Sequence, residues 1–279
     1  MIETTYTTPG GNYYTLYDRL LNAGHTLIAG AQGSGKSTVI QGIIHTALLS
    51  APYENQLIII DPKRVDMIEY KDMPHVLKYA TEAEDISQAL DFALSIMETR
   101  YDDMQARRLK DYDGSNLYVI IDEVADLMVN PINKKVFGPK IQRLAQLGRA
   151  AHVTVIMATQ CTLRAVIDTQ TKCNFPSRLA LRTACAQDSR NIIDSKGAET
   201  LPNPRIEGRA KAMWRNGADV ETVDLPRYSE EERERVIKHW KQYARPNKSN
   251  KRRYSNQRII AAPVYDRPKR RGLLSRLFG

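Results

Sequence analysis

Gly30-Ala-Gln-Gly-Ser-Gly-Lys-Ser37 satisfies the pattern G-x-x-x-x-G-K-[ST], and the rest of the chain is interpreted from it. Thr26-Leu-Ile-Ala29, directly before it, is a short apolar run typical of a buried strand, and the residues from Lys36 onward have the pattern of a helix. Glycines let backbone N–H groups converge on phosphate oxygens, and the N-terminus of the helix adds its dipole. The sequence therefore predicts a phosphate-binding loop between a strand and a helix. The alternative, a glycine-rich turn with an incidental lysine, does not explain the flanking pattern.

This loop predicts two bound groups, ATP and Mg²⁺. Lys36 is expected to reach the β- and γ-phosphates, and the Ser37 hydroxyl is expected to bind Mg²⁺. The predicted ATP-binding residues are Gly30, Ala31, Gln32, Gly33, Ser34, Gly35, Lys36, Ser37 and Thr38.

Two acidic residues follow another apolar run, Leu117-Tyr-Val-Ile-Ile121. Since a buried strand does not tolerate acids in its interior, Asp122 and Glu123 are expected at its carboxyl end, where open α/β sheets bind ligands. Asp122 suits a contact with Mg²⁺ through water, and Glu123 suits polarisation of the attacking water. A pair of helix N-cap residues is the alternative. Gln160, which follows Val153–Ala158, is a further candidate for contact with the γ-phosphate or the attacking water, and a plain strand end is its alternative.

Short apolar runs alternate with longer amphipathic stretches along the chain, which predicts an α/β fold with a mainly parallel sheet. The predicted strands are Thr26–Ala29, Leu57–Ile60, Leu117–Ile121, Val153–Ala158 and Arg178–Leu181. The predicted helices are Lys36–Leu49, Glu84–Leu109 and Lys135–Ala150. Asn216-Gly217 predicts a β-hairpin near the C-terminal end of the fold. Ser229–Glu232 has the pattern of a capping box and predicts a last helix to about Tyr243.

Charge divides the chain into two parts. From Arg245 to Gly279 there are eleven Lys/Arg and the single acid Asp266, a net charge of +10, whereas the remainder holds 30 basic and 31 acidic residues, a net charge of −1. We therefore predict a body over residues 1–243 and a basic, disordered tail over residues 244–279. A tail of this charge is a candidate for contact with nucleic acid.

Other features bear on the compartment. No apolar run approaches the ~20 residues that span a bilayer, and Met1–Thr5 lacks the features of a signal peptide. The three cysteines, Cys161, Cys173 and Cys185, have no paired spacing, which favours reduced thiols in a protein core over a metal site. A cytoplasmic protein without an integral membrane segment is expected.

Besides the phosphate loop, ten short segments carry a recognisable pattern, in order along the chain. They are Ile60–Val65, Met73–Val76, Met97–Tyr101, Ile121–Met128, Arg143–Gln146, Gly148–Ala151, Met157–Gln160, Phe175–Arg178, Asp188–Arg190 and Gly197–Glu199. Together they resemble the segments of the FtsK/SpoIIIE family of DNA translocases, and the resemblance extends from about Leu16 to Trp240.

The resemblance implies a RecA-like motor domain over residues 1–243 that assembles into a ring, a hexamer, around double-stranded DNA. ATP would be hydrolysed at subunit interfaces, and Arg149 matches the family position of an arginine supplied in trans. A helix C-terminal cation is the alternative for Arg149. Ala186 stands where relatives carry a lysine, so one step of phosphate or DNA contact is expected to differ here.

The larger family members carry a membrane anchor and a further DNA-reading domain. Neither is expected here, which favours a small mobile-element or phage type acting in transfer or replication. The alternatives are a phage genome-packaging or assembly ATPase and a non-hydrolysing nucleotide-binding scaffold. Gly272–Phe278 ends the chain with large apolar side chains and is a candidate docking segment for a partner protein, with disorder as the alternative. Predicted DNA contacts are Arg178, Arg182, Arg190, Lys251, Arg252 and Arg253.

Overall fold

The computed structural model describes residues 16–50, 55–160, 169–207, 210–225 and 230–241. The strands of the described residues form a single sheet. They are β1 (Thr26–Ala29), β2 (Asn55–Ile60), β3 (Val76–Ala80), β4 (Asn116–Ile121), β5 (Val153–Thr159), β6 (Ser177–Ala180), β7 (Lys211–Asn216) and β8 (Asp219–Asp224). The described helices are α1 (Leu16–Asn22), α2 (Lys36–Ser50), α3 (Ala83–Arg107), α4 (Val124–Met128), α5 (Pro131–Leu147), α6 (Thr169–Asn174), α7 (Ala186–Ile193), α8 (Pro204–Glu207) and α9 (Glu230–Lys241).

The strand order across the sheet is β3-β2-β4-β5-β1-β6-β7-β8. The first six strands in this order are parallel, and the hairpin β7–β8 adds two antiparallel strands at one edge. All four residues of β1 are buried because the strand lies between β5 and β6 and both of its faces are covered. The predicted α/β fold with a mainly parallel sheet and a C-terminal hairpin and helix is confirmed. The predicted tail lies outside the described residues.

Two hydrophobic clusters cover the two faces of the sheet. Alternate residues of β4 enter different clusters, since Val119 points to one face and Ile120 to the other. Helices α3, α4, α5 and α7 pack on the first face, and α1, α2 and α9 pack on the second. Helix α2 is buried along most of its length, so the helix that follows the phosphate loop is held firmly against the sheet.

The predicted helix boundaries differ from the observed ones where caps decide them. Helix α5 begins at Pro131, four residues before the predicted start, because the Asn130 side chain accepts hydrogen bonds from Ile132 N and Asn133 N. Helix α3 ends at Arg107 because Arg108 adopts a left-handed conformation with φ of 57°. Strand β3 was not predicted, since it is a partly exposed edge strand whose apolar pattern is weak.

The cysteine prediction is wrong in one respect. Cys173 and Cys185 are free thiols, but both are exposed rather than buried in a core, and Cys161 lies outside the described residues. Within the described ranges no group of three or more His, Cys, Asp or Glu side chains is placed to hold a metal ion. None of the described helices is long and apolar enough to cross a membrane.

Two buried histidines predict how stability depends on pH. Burial lowers the pKa of His25 to about 4, with a contribution from Arg149, and burial lowers the pKa of His45 to about 4, with a contribution from Arg233. His25 Nδ1 accepts a hydrogen bond from Val155 N at 2.9 Å, so the folded state holds this ring neutral.

Because both pKa values lie below 6.5, the ordinary value for histidine, the unfolded chain binds more protons than the folded chain between pH 6.5 and 4. The free energy of unfolding should therefore fall as the pH falls through this range, by about 2 kcal/mol for each histidine at pH 5. Urea unfolding at pH 7.5 and pH 5 measures the loss. The variant His25→Asn, which keeps an acceptor for Val155 N, should lose less stability than the wild type over the same interval. An equal loss in both proteins would contradict the assignment.

Candidate functional site

The phosphate loop lies where the sequence predicts it, between the carboxyl end of β1 and the start of α2. Ala31 N donates to Arg182 O at 2.9 Å and Gly30 N donates to Thr159 O at 3.4 Å, so the ends of the two neighbouring strands hold the loop. Gly33 and Gly35 have φ values of 74° and 102°, which other residues adopt only with strain. The backbone is thus shaped by its glycines to present N–H groups to a ligand.

Lys36 is folded back over this loop. Its Nζ donates to Gly30 O at 2.8 Å and to Ala31 O at 2.9 Å, and the residue is 7% exposed. Burial lowers the pKa of the Lys36 amine to about 8, and the negative charge of Glu123 opposes this effect. A buried ammonium that contacts only two neutral carbonyls is stabilised by a nearby anion, and a phosphate group is such an anion.

Two further residues of the loop, Ser34 and Gly35, are suited to contact a nucleotide. Ser34 Oγ is buried, and no hydrogen-bond partner for it occurs among the described residues. Beside Gly35 there is open space where a side chain would stand, so its backbone is accessible at close range. Of the remaining predicted contacts, Gln32 and Thr38 are exposed beside the loop.

Three carboxylates lie near the start of α2. Ser37 Oγ donates to Asp66 Oδ2 at 2.7 Å, and burial raises the pKa of the Asp122 carboxyl to about 6, with further contributions from the charges of Asp66 and Asp61. A buried carboxylate beside two other carboxylates is stabilised by a cation. Asp61 is occupied by other contacts, because it accepts from Arg64 N, Met67 N and Tyr79 Oη.

These residues fit Mg²⁺. Ser37 Oγ and Asp122 are the predicted partners, the latter through water, and Asp66 is a third oxygen donor beside Ser37 that the sequence did not single out. Oxygen ligands of this kind suit Mg²⁺, which keeps several waters and takes other ligands from phosphates. Ser37 donates its hydroxyl proton to Asp66 and keeps lone pairs on the oxygen that would bind Mg²⁺.

Glu123 is held by an extensive set of hydrogen bonds. Its Oε1 accepts from Thr159 Oγ1 at 2.8 Å, both carboxylate oxygens accept from Gln160 N at 3.1 Å, and Oε2 lies 3.2 Å from Lys63 Nζ. The residue is 3% exposed, so the negative charge is buried and compensated. Three donors thus surround the carboxylate, which has about four acceptor positions. Of these partners, the partly exposed Lys63 is the one most free to move.

Gln160 reaches the site in two ways. Its backbone N–H anchors Glu123, and its side chain is exposed at the carboxyl end of β5. A side chain in this position lies next to the catalytic glutamate predicted from sequence, and its contact with the γ-phosphate or the attacking water stays a prediction.

Arg149 lies at the opposite edge of the sheet. It is exposed in the turn between the end of α5 and the start of β5, whereas the phosphate loop follows the carboxyl end of the neighbouring parallel strand β1. Strand β5 has seven residues, which corresponds to roughly 20 Å along its length. This separation exceeds the reach of an arginine side chain, so Arg149 does not contact the phosphate loop of its own chain.

The turn that carries Arg149 is braced by two residues of α3. The Arg100 guanidinium donates to Ala151 O at 2.8 Å and His152 O at 3.0 Å, and Tyr101 Oη donates to Leu147 O at 2.6 Å. Arg100 is buried and stacks on Tyr112, and burial lowers the pKa of its guanidinium to about 10. The segment Met97–Tyr101 therefore positions the turn and has no direct place in the phosphate site.

The residues predicted to bind DNA are dispersed. Arg178 is 7% exposed, pairs with Asp194 at 2.8 Å and donates to Ile192 O, so its burial argues against contact with DNA. Arg182 is partly exposed beside the phosphate loop and Arg190 is exposed on α7. Lys251, Arg252 and Arg253 lie outside the described residues.

Three contributors to the site were missed by sequence reasoning. Thr159 and Lys63 contact the Glu123 carboxylate, and Asp66 contacts Ser37. Lys63 and Asp66 follow a buried apolar run that ends in Asp61, the same signal that revealed Asp122 after β4. The residues that follow β2 could therefore have been predicted as site residues in the same way, since adjacent parallel strands present their carboxyl ends at one edge of the sheet.

Comparison with known sequences supports the resemblance. Residues 10–118 match the model of the FtsK/SpoIIIE family. The protein named DNA translocase FtsK from Oceanobacillus iheyensis is 37% identical over 238 residues, which cover 77% of this chain and 30% of that protein. The protein of the same name from Halalkalibacterium halodurans is 40% identical over 198 residues, covering 63% of this chain and 25% of that protein. The chain thus spans less than a third of the length of these curated relatives.

Solved structures agree on the fold. The pCW3 conjugation coupling protein TcpA, in a monomer form with ATPγS, matches with a TM-score of 0.68 and 22% identity over 79% of this chain and 66% of that chain. ATPases 2 and 3 of EssC from Geobacillus thermodenitrificans match with a TM-score of 0.65 and 17% identity over 80% of this chain and 45% of that chain. At these identities the likeness concerns the fold. The sequence matches and the ordered motifs, rather than the fold alone, show that the chain belongs to the FtsK/SpoIIIE family.

Proposed function

We propose that the chain is the motor domain of a DNA-dependent ATPase that moves along double-stranded DNA. The observation that carries this proposal is the convergence of the phosphate loop, Asp122 and Glu123 at one edge of the sheet, with Glu123 anchored to the end of β5. The similarity to proteins named DNA translocase FtsK supplies the substrate. We place this activity in the cytoplasm.

In the proposed reaction the loop N–H groups and Lys36 bind the phosphates of ATP. Lys36 exchanges the carbonyls of Gly30 and Ala31 for phosphate oxygens, and the buried Ser34 hydroxyl gains a partner. The positive φ values of Gly33 and Gly35 give the loop its backbone conformation.

Ser37 and Asp122, with Asp66 close by, would hold Mg²⁺, which neutralises charge on the β- and γ-phosphates when bound. Glu123 takes a proton from the attacking water once Lys63 releases its Oε2, while Thr159 and Gln160 keep the carboxylate in place. Gln160 contributes both a backbone contact to Glu123 and an exposed side chain. It is therefore suited to couple ATP hydrolysis to the conformation of the segment that follows.

We further propose that the active form is a ring, a hexamer, in which Arg149 of one subunit completes the phosphate site of its neighbour. The position of Arg149 at the opposite edge of the sheet supports this proposal, because within one chain it does not reach the loop. The brace from Arg100 and Tyr101 holds the turn in a defined orientation, which an arginine acting across an interface requires. Arg182, Arg190 and the basic segment Lys251–Arg253 stay candidates for DNA contact.

Hydrolysis of ATP with and without duplex DNA tests the central proposal. We expect turnover in the presence of Mg²⁺ and an increase on addition of double-stranded DNA, with a smaller increase for single strands. ATP binding without hydrolysis under both conditions would instead favour the nucleotide-binding scaffold. Hydrolysis that duplex DNA leaves unchanged would contradict the DNA-dependent motor.

Within that function we propose transfer or replication of a mobile element as the process served. Deleting the gene should lower the transfer frequency or the copy number of the element that carries it. A loss of packaged phage particles without either effect would favour the genome-packaging alternative.

A further inference from the structure

A second arginine, Arg205, lies against the phosphate loop of its own chain. The space beside Gly33 where a Cβ would stand is filled by the Arg205 guanidinium, whose Nε, Cζ and Nη2 are 2.5, 2.6 and 2.7 Å from that position. The guanidinium thus touches the middle of the loop, which only glycine permits at residue 33. Among the described residues Arg205 takes part in no ion pair with a carboxylate. Its charge is therefore uncompensated beside a loop that binds anions.

The turn that carries Arg205 is held by its own hydrogen bonds. The Asn203 side chain accepts from Arg205 N at 3.1 Å, Glu207 N donates to Asn203 O at 2.9 Å, and Asn203 N donates to Glu207 Oε1 at 3.0 Å. Pro202 and Pro204 flank Asn203 and restrict the backbone further. The backbone at Arg205 is therefore held in place, and its exposed side chain extends from there to Gly33.

This turn and the phosphate loop are both attached to the segment that follows β6. Arg182 O accepts from Ala31 N of the loop at 2.9 Å, and the next residue, Thr183, donates through its N–H to Ala198 O at 3.3 Å. Ala198 begins the short 3₁₀ turn over Ala198–Thr200 that leads to Arg205. The phosphate loop and the turn that carries Arg205 are thus connected through a short path of backbone hydrogen bonds.

We propose that Arg205 binds the terminal phosphate of the triphosphate in cis, as the counterpart of Arg149 acting in trans; this rests on the proposed ATP-binding function. A guanidinium presents a planar fork of donors that suits phosphate oxygens, and it carries its charge at any working pH. The Lys36 ammonium and the loop N–H groups approach the phosphates from the loop itself. Arg205 adds a donor that approaches the loop from outside it, over Gly33.

Binding of two nucleotides tests the proposal. Calorimetric titration with ATPγS and with ADP, each with Mg²⁺, is made on wild type, Arg205→Ala and Arg205→Lys. We expect Arg205→Ala to weaken ATPγS binding about 10- to 100-fold and to change ADP binding much less. Arg205→Lys keeps the charge and loses the fork, so it should fall between the two. Arg235→Ala, an exposed arginine on α9, removes the same charge elsewhere and should leave both affinities unchanged.

Each other outcome overturns the proposal. Unchanged ATPγS affinity in Arg205→Ala would mean that the contact with Gly33 has no part in binding, and an equal loss for both nucleotides would exclude the terminal phosphate. Tighter binding by Arg205→Ala would show that the arginine covers the loop instead. If the wild type binds neither nucleotide, the proposed function itself fails, and that result differs from all of these.

Discussion

Replacing Glu123 with glutamine is expected to lower the rate of ATP hydrolysis by about 10²- to 10⁴-fold while leaving ATP binding intact. Glutamine retains the size of the side chain and an oxygen that accepts from Thr159 Oγ1 and Gln160 N, but it does not take a proton from water. The ion pair with Lys63 is lost as well, which frees that lysine toward solvent. Single-turnover hydrolysis and nucleotide titration on the same preparation separate the two effects.

Asp126→Asn is the matched control for this variant. Asp126 lies three residues further along the chain and is exposed on α4, so the substitution removes one carboxylate charge close to the site without touching it. Its hydrolysis rate should equal that of the wild type. If Glu123→Gln hydrolyses ATP at an undiminished rate, the general base lies elsewhere, and Glu123 serves to anchor the end of β5.

Arg149→Ala is expected to reduce hydrolysis by on the order of 10³- to 10⁵-fold, the range measured for an arginine that stabilises the transition state in other nucleotide hydrolases. The loss should appear in assembled rings, because the side chain lies at the edge of the sheet remote from its own phosphate loop. Nucleotide affinity of isolated subunits should change little. The fold should also be retained, because Arg149 is exposed and the turn is held by Arg100 and Tyr101.

Mixing two inactive variants distinguishes a trans role from a structural one. Lys36→Ala removes the ammonium of the phosphate loop. A subunit with this substitution has an inactive phosphate site but an intact Arg149. A mixture with Arg149→Ala therefore contains interfaces in which an intact loop meets an intact arginine, and hydrolysis should recover partly, with a maximum near equal amounts. Arg143→Ala, an exposed arginine of the same helix end that pairs with Glu98, is the control and should be active alone. Mixed rings that form and stay inactive at every ratio would remove the trans role.

Much of the fold and of the site was predictable from local patterns. The strands and helices around the phosphate loop were placed within a few residues, because apolar runs and helical spacing report directly on burial. Asn216-Gly217 predicted the hairpin β7–β8, since Gly217 takes the positive φ of 64° that such a turn requires. Asp122 and Glu123 were found because charges rarely interrupt a buried strand.

Other features were not predicted because no local sequence pattern indicates them. Strand β3 is a partly exposed edge strand, and the early start of α5 depends on the side chain of Asn130. Arg178 carries the same charge as its exposed neighbours in sequence but is buried against Asp194. An arginine that pairs in the interior and one that faces solvent look alike until the partner is known.

The sequence by itself determined that a nucleotide-binding loop precedes a helix and that a carboxylate pair ends a buried strand, because glycine conformation and apolar spacing act over a few residues. The tertiary structure alone decided which strand ends meet. The order β4-β5-β1 brings Glu123 to Thr159 and Gln160 and sets the phosphate loop beside them. The same order sends Arg149 to the far edge, and the chain's return after β6 places Arg205 over Gly33. These contacts arise from packing between segments that are distant in sequence, so no local residue pattern predicts them.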